Sequence, residues 1–101
     1  MPTRVLIVDD DEDIRAYLEV TLELAGFDVL LAGSGEHALA VARDEEPDLV
    51  VLDVMMPGID GLEVLRRLRA DARTSHLPVI LLTAKAQTDD TVRGLEVGAD
   101  D

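Results

Sequence analysis

The chain has 101 residues and a formal net charge of −13, with 22 acidic and 9 basic residues and no cysteine. A chain of this length fits one domain, and the shortage of Lys and Arg argues against a nucleic-acid backbone or an anionic membrane surface as its partner. The lack of cysteine excludes a disulfide scaffold, and no apolar stretch approaches the roughly 20 residues of a membrane-spanning helix.

The first predicted strand begins almost at the N-terminus, which carries no signal-peptide pattern, so we expect a cytoplasmic protein. Four short runs are continuously apolar, which is typical of parallel strands that are covered on both faces. These runs lie at residues 5–8, 29–32, 49–52 and 79–82.

Helical patterns alternate with these strands. They are predicted over residues 12–24, 35–45, 61–70 and 89–97. In the first, an apolar stripe comprises Ile14, Leu18, Leu22 and Ala25, and Gly26 ends the helix. Ser34 is a plausible N-cap for the second helix. In the third, we expect Leu62, Leu65 and Leu68 to face inward.

The order βαβαβαβα predicts an α/β fold with a doubly wound parallel sheet. Functional clefts in such sheets lie beyond the carboxyl ends of the strands. Asp9-Asp10-Asp11 follows the first strand, Asp53 follows the third, and Thr83 follows the fourth. If these three strands are neighbours, the sequence places several carboxylates and one hydroxyl close together.

Clustered carboxylates repel one another, by about 4 kcal/mol for two charges 4 Å apart at an effective dielectric of 20. Such a cluster therefore needs raised pKa values or a hard divalent cation. A few oxygen ligands favour Mg²⁺ with retained waters, and an ionised Asp beside Mg²⁺ can accept a phosphoryl group.

Three segments carry a resemblance to a known family. Val8-Asp9-Asp10, Leu52-Asp53-Val54-Met55-Met56-Pro57-Gly58-Ile59-Asp60-Gly61 and Leu82-Thr83-Ala84 are similar to the three signatures of the receiver domain of two-component response regulators. The resemblance extends from Arg4 to Asp101. It implies a flavodoxin-like fold similar to that of chemotaxis regulators.

The resemblance also implies a role for each matching residue. Asp53 would accept a phosphoryl group from the phosphohistidine of a sensor histidine kinase. Asp10 would bind Mg²⁺ directly, Asp9 directly or through water, and the Met55 main-chain carbonyl would be a further ligand. Thr83 would contact the phosphoryl group and act as the conformational switch. The chain would then be a phosphoacceptor that assists its own phosphorylation and dephosphorylation, not an enzyme in the usual sense.

The sequence departs from the family at its C-terminal end. The resemblance implies a domain of five βα units, whereas these 101 residues contain four. We therefore interpret residues 1–101 as one C-terminally truncated receiver domain. The lysine, proline and aromatic residue expected on strand five are absent from the sequence. We therefore expect impaired phosphorylation and output.

Truncation predicts self-association. Without a fifth strand, the fourth strand would become an apolar edge that invites pairing with another chain. Apolar surface on helix one and near helix four would also be uncovered. We therefore expect a homodimer or larger assembly.

The sequence leaves two alternatives to a signalling phosphoacceptor. A truncated receiver could be a non-signalling unit that folds by assembling. An Asp-nucleophile phosphatase would resemble a strand followed by Asp-x-Asp, but the residue two after Asp53 is Met55, which argues against that class.

Overall fold

A computed structural model describes residues 2–82 and shows four strands and three helices in alternation. The predicted helix at 89–97 and Thr83 lie outside the described residues. The elements are β1 (Arg4–Val8), α1 (Glu12–Leu24), β2 (Asp28–Ala32), α2 (Gly35–Glu45), β3 (Leu49–Asp53), α3 (Gly61–Ala70) and β4 (Val79–Leu82).

The four strands form one parallel sheet in the order β2-β1-β3-β4. This topology confirms the predicted doubly wound α/β fold. It also makes the first, third and fourth strands neighbours, which is the condition for their carboxyl ends to converge. Val8 of β1 pairs with Leu52 of β3, and Asp53 pairs with Leu82 of β4, so these strands end at the same edge of the sheet.

Three strands extend one residue beyond the apolar runs. β1 begins at Arg4, β2 at Asp28, and β3 ends at Asp53. Backbone pairing continues past the apolar segment, since Arg4 pairs with Asp28 and Asp53 pairs with Leu82. Asp53 is therefore the last residue of a strand and not the first residue of a loop.

Each helix begins at a polar cap. The side chain of Asp11 accepts the N–H groups of Asp13 and Ile14, Ser34 caps α2 as predicted, and Asp60 caps α3. These caps satisfy backbone donors that have no partner within the helix. At the other end of α1, Gly26 follows with a φ of 99°, which confirms the predicted stop.

The packed core lies between the sheet and the helices α2 and α3. The inner positions of α3 are 61, 64, 65 and 68, which recur at helical spacing and are buried. The prediction that Leu62 faces inward was wrong, because Leu62 lies one step, about 100°, around the helix from Gly61 and is 45% exposed. Leu65 and Leu68 are buried as predicted.

Helix α1 packs less completely, and none of its residues is fully buried. Its half-buried positions are 15, 18, 19 and 22. Leu18 and Leu22 thus belong to the inner stripe as predicted. Ile14, which is 44% exposed, and Ala25, which is exposed, do not. The apolar residues alone misplaced this stripe, because two inner positions are charged.

Within the described range, no helix combines the length and the apolar character that crossing a membrane requires.

Candidate functional site

Three carboxylates converge at the carboxyl edge of the sheet. Asp9 and Asp10 follow β1, and Asp53 ends β3. Each offers a carboxylate oxygen, and these oxygens lie within 4.8 Å of one another. Asp9 and Asp53 are 5% and 7% exposed, whereas Asp10 is exposed. The cluster therefore has a buried floor, formed by Asp9 and Asp53, and an open side at Asp10.

Asp9 is fixed by its main chain and by its side chain. Its N–H donates to the carbonyl of Ala32 at 3.2 Å, which ties the end of β1 to the end of β2. Its Oδ1 accepts the N–H of Asp11 at 2.9 Å. These bonds turn the chain away from the sheet immediately after β1 and leave the Asp9 carboxylate beside Asp53.

The run of three aspartates divides between two roles. Asp11 is the N-cap of α1, and its Oδ1 accepts the N–H of Asp13 at 2.9 Å. Among the described residues, the acidic cluster contains only Asp9, Asp10 and Asp53. The first two aspartates of the run thus face the cluster, and the third begins the helix.

Asp53 has an unusual protonation equilibrium. Burial of its carboxyl, together with the nearby charges of Asp9 and Asp10, raises its pKa to about 6. The N–H of Met55, which donates to Asp53 Oδ1 at 3.1 Å, opposes this rise by stabilising the ionised form. A cation among the three carboxylates would oppose the rise more strongly.

The donor set fits a small hard cation. Carboxylate oxygens are the ligands that Mg²⁺ prefers, and opposite ligands around Mg²⁺ lie roughly 4 Å apart. A cluster whose oxygens lie within 4.8 Å of one another approaches that spacing. Asp10 stands on the exposed side, where an ion could keep several waters. The three residues therefore fit Mg²⁺ by donor chemistry and by separation.

The segment after β3 folds back onto the strand end. The N–H of Val54 donates to the carbonyl of Leu82 at 2.8 Å, and the N–H of Gly61 donates to the carbonyl of Val54 at 3.0 Å. Gly58 adopts a φ of 75° within this turn. Met55 is exposed beside Asp53. A turn thus connects Asp53 to α3.

The sequence interpretation missed one residue that contacts this site, Arg15, and one close contact of the main chain, at Gly61. Arg15, on the inner stripe of α1, donates from its guanidinium to the main-chain carbonyl of Asp9 at 2.8 Å. Gly61 lies against the main chain of Asp53 and Val54. The sequence did contain a signal for Arg15. This residue lies at helical spacing from Leu18 and Leu22, in a helix that begins shortly after Asp9 and Asp10.

Comparison with known proteins gives consistent results. The response regulator receiver domain family matches residues 5–101. The chain is 54% identical over 101 residues to the transcriptional regulatory protein AfsQ1 of Streptomyces coelicolor, covering all of this chain and 43% of that protein. It is 50% identical over 97 residues to the phosphate regulon transcriptional regulatory protein PhoB of Pseudomonas aeruginosa, covering 96% of this chain and 42% of that protein.

A solved structure agrees with these sequence matches. A putative response regulator from Chloroflexus aurantiacus superposes with a TM-score of 0.88 at 40% identity, covering all of this chain and 83% of that one. The chain spans less than half the length of the two curated relatives. These matches give no support to the alternative of a non-signalling assembly unit. The chain belongs to the receiver domain family of two-component response regulators, which are signalling modules.

Proposed function

We propose that this chain accepts a phosphoryl group on Asp53 from the phosphohistidine of a sensor histidine kinase. The observation that supports this most directly is the position of Asp53. Its buried carboxylate ends β3 and lies within 4.8 Å of the carboxylate oxygens of Asp9 and Asp10. A lone buried carboxylate would favour its neutral form, whereas this arrangement with a bound cation favours an ionised nucleophile.

Asp9, Asp10 and Asp53 would hold Mg²⁺ together with the main-chain carbonyl of Met55. When bound, Mg²⁺ supplies positive charge to the phosphoryl oxygens during transfer. The protein residues position the acceptor. The turn from Val54 to Gly61 fixes the chain on one side of Asp53, and pairing with Leu82 fixes it on the other.

In the transfer step, a carboxylate oxygen of Asp53 forms a bond to phosphorus while the bond from phosphorus to the histidine nitrogen breaks. The electron pair of the broken bond stays on that nitrogen, and the kinase histidine leaves as neutral imidazole because its other ring nitrogen carries a proton in the reacting form. No base is needed to activate Asp53, since its ionised carboxylate is already nucleophilic. Later attack by water on the acyl phosphate would return Asp53 and inorganic phosphate. The chain would therefore be modified by its own reaction and would not turn over substrate as an enzyme does.

Thr83, which directly follows β4, is proposed to contact the phosphoryl group and to act as the switch. The support is topological: β4 is the neighbour of β3, and Leu82 pairs with Asp53. Replacing Thr83 by Ala should leave phosphorylation of Asp53 detectable and shorten or lengthen the lifetime of the phosphorylated form. An unchanged lifetime would remove Thr83 from the site.

The expected impairment of phosphorylation and output stays a prediction. The interpretation of the chain as a truncated receiver stays a prediction, as does its cytoplasmic location.

We further propose that this 101-residue chain self-associates. The exposed side of α1 carries four large apolar residues, Ile14, Tyr17, Val20 and Leu24. Within the described residues, β4 has a neighbouring strand on one side only. Light scattering should report a dimer or larger particle. Replacing Tyr17 and Leu24 by Glu should reduce the mass, and a monomeric parent at high concentration would contradict self-association.

The names of the curated relatives describe transcriptional regulators. That role belongs to those proteins, which are more than twice as long as this chain. For this chain we propose a kinase as the partner and no direct contact with nucleic acid, because its net charge is −13.

The proposed function can be tested with phosphoramidate, whose P–N bond resembles that of phosphohistidine. The chain is incubated with phosphoramidate in Mg²⁺ or in excess chelator, and its intact mass is measured. We expect a gain of one phosphoryl group in Mg²⁺ and none in chelator. No gain in Mg²⁺, with the chain folded by circular dichroism, would contradict the proposal.

A further inference from the structure

Arg15 connects helix α1 to the acidic cluster. It occupies the inner stripe of α1 and is only half-buried, yet its guanidinium reaches across to the end of β1. There, Nη1 donates to the main-chain carbonyl of Asp9 at 2.8 Å. The bond is made to the backbone, so it constrains the peptide that joins Asp9 to Asp10.

Gly33 supplies the space that the guanidinium occupies. A Cβ at Gly33 would lie 3.0 Å from Arg15 Nη1 and 3.5 Å from its Cζ. Gly33 is not one of the glycines with positive φ, so the turn itself does not require glycine. A side chain at this position would therefore require the Arg15 guanidinium to shift by a few tenths of an ångström.

Three segments thus meet at Asp9. The N–H of Asp9 donates to Ala32 at the end of β2, its carbonyl accepts from Arg15 on α1, and its Oδ1 accepts from Asp11. If the bond from Arg15 were lost, the peptide between Asp9 and Asp10 could rotate. Such a rotation would change the direction of both carboxylates relative to Asp53.

We propose that Arg15 is a positioning residue for the cation site, and that Gly33 is its steric partner. Arg15 holds the Asp9 carbonyl so that Asp9 and Asp10 present their oxygens toward Asp53. It does so through the β1–α1 connection and touches neither the cation nor the phosphoryl group. This inference rests on the proposed function, because it assumes that the cluster binds Mg²⁺.

The experiment measures Mg²⁺ affinity of the unphosphorylated chain by isothermal titration calorimetry. Arg15→Gln should weaken binding roughly tenfold, the size typical for loss of a group that orients a metal ligand. Arg15→Lys should recover part of this loss, since an ammonium can still donate to the carbonyl. Arg66→Gln is the matched control, because Arg66 is an exposed residue of α3 paired with Glu63.

Gly33→Ala provides an independent variant that leaves Arg15 in place. It should weaken Mg²⁺ binding by displacing the guanidinium from the Asp9 carbonyl. Because the two residues act through one contact, adding Gly33→Ala to Arg15→Gln should cause no further loss. Equal and additive losses from the two substitutions would contradict a shared mechanism and overturn the pairing of Arg15 with Gly33.

A second measurement separates positioning from general stability. The Mg²⁺ concentration that gives half-maximal loading by phosphoramidate should rise in Arg15→Gln by the same factor as the dissociation constant. The loading rate at saturating Mg²⁺ should stay close to that of the parent. A parent that binds Mg²⁺ and an Arg15→Gln variant that binds it equally tightly would overturn this inference alone. A parent that binds no Mg²⁺ would overturn the proposed function and this inference together.

Discussion

Gly61, the first residue of α3, lies in direct contact with the carbonyl of Asp53. A Cβ at Gly61 would collide with the Asp53 carbonyl oxygen and would stand 2.7 Å from the Cα of Val54. The N–H of Gly61 also donates to the Val54 carbonyl at 3.0 Å. The start of α3 therefore closes on the end of β3 only because position 61 has no side chain.

The first prediction concerns this contact. Gly61→Ala should force the turn away from β3 and displace Asp53 from Asp9 and Asp10. The variant should lose stability and should bind Mg²⁺ more weakly than the parent. Urea unfolding and Mg²⁺ titration check the two effects.

Gly26→Ala is the control for Gly61→Ala. Gly26 has a φ of 99° and open space around it, so alanine there should reduce stability by about 1 kcal/mol through backbone strain. It lies at the end of α1, away from the acidic cluster. Gly26→Ala should therefore keep Mg²⁺ affinity. Equal loss of Mg²⁺ affinity in both variants would contradict a specific role for Gly61.

The second prediction follows from the pKa of Asp53, which burial raises from 3.8 to about 6 in the absence of a cation. Between these values the folded state binds more protons than the unfolded state at this carboxyl. The contribution of Asp53 to the free energy of unfolding should therefore fall as pH rises from about 4 to about 6, and stay low above that.

Urea unfolding in chelator, measured across this pH range, tests that contribution. The parent should lose stability relative to Asp53→Asn as pH rises, because Asn cannot ionise. Comparing the two chains removes the effect of other titrating groups. A difference between them that does not change with pH would contradict the raised pKa of Asp53.

The third prediction concerns the cation. Mg²⁺ bound among three carboxylates relieves their mutual repulsion, so millimolar Mg²⁺ should raise the unfolding temperature of the parent. Asp10→Asn should reduce this rise, because it removes one ligand from the exposed side of the cluster. Asp44→Asn, which replaces an exposed carboxylate of α2, should keep the full response. An equal response in all three chains would show that Mg²⁺ acts elsewhere.

The fourth prediction compares two leucines on one helix. Leu68 of α3 is 1% exposed and belongs to the main hydrophobic core, so Leu68→Ala should cost about 2–5 kcal/mol of stability. Leu62 is on the flank of the same helix, and Leu62→Ala should change stability by less than about 1 kcal/mol. Chemical denaturation of both variants checks the burial pattern. Similar losses would contradict the inner stripe of α3.

The sequence was sufficient to predict the doubly wound α/β fold. It predicted the meeting of Asp9, Asp10 and Asp53 on the condition that the first, third and fourth strands are neighbours, and the structure meets that condition. Asp9 and Asp10 follow β1 and Asp53 ends β3, and parallel topology brings the ends of neighbouring strands together. The family resemblance gave ligand roles to Asp9 and Asp10 and none to Asp11, but Asp11 was not identified from the sequence as the N-cap of α1. The sequence also placed Ile14 and Leu62 inside, since apolar character alone does not fix the angular position of a helix face.

The sequence also could not predict the close contacts made at two glycines, which are possible because glycine has no side chain. Gly33 and Gly61 look like ordinary turn residues, and nothing in their local sequence shows which atoms approach them. Arg15 was overlooked for a related reason. A charged residue in an amphipathic helix is usually solvated, and its bond to the Asp9 carbonyl depends on the packing of α1 against the sheet.

The most direct test of the central claim is to locate the phosphoryl group. The parent and Asp53→Asn are each incubated with phosphoramidate and Mg²⁺, and their intact masses and peptide maps are compared. The account predicts a gain of one phosphoryl group in the parent, located on Asp53, and no gain in Asp53→Asn. Equal gain in both chains, or a phosphoryl group on another residue of the parent, would contradict it.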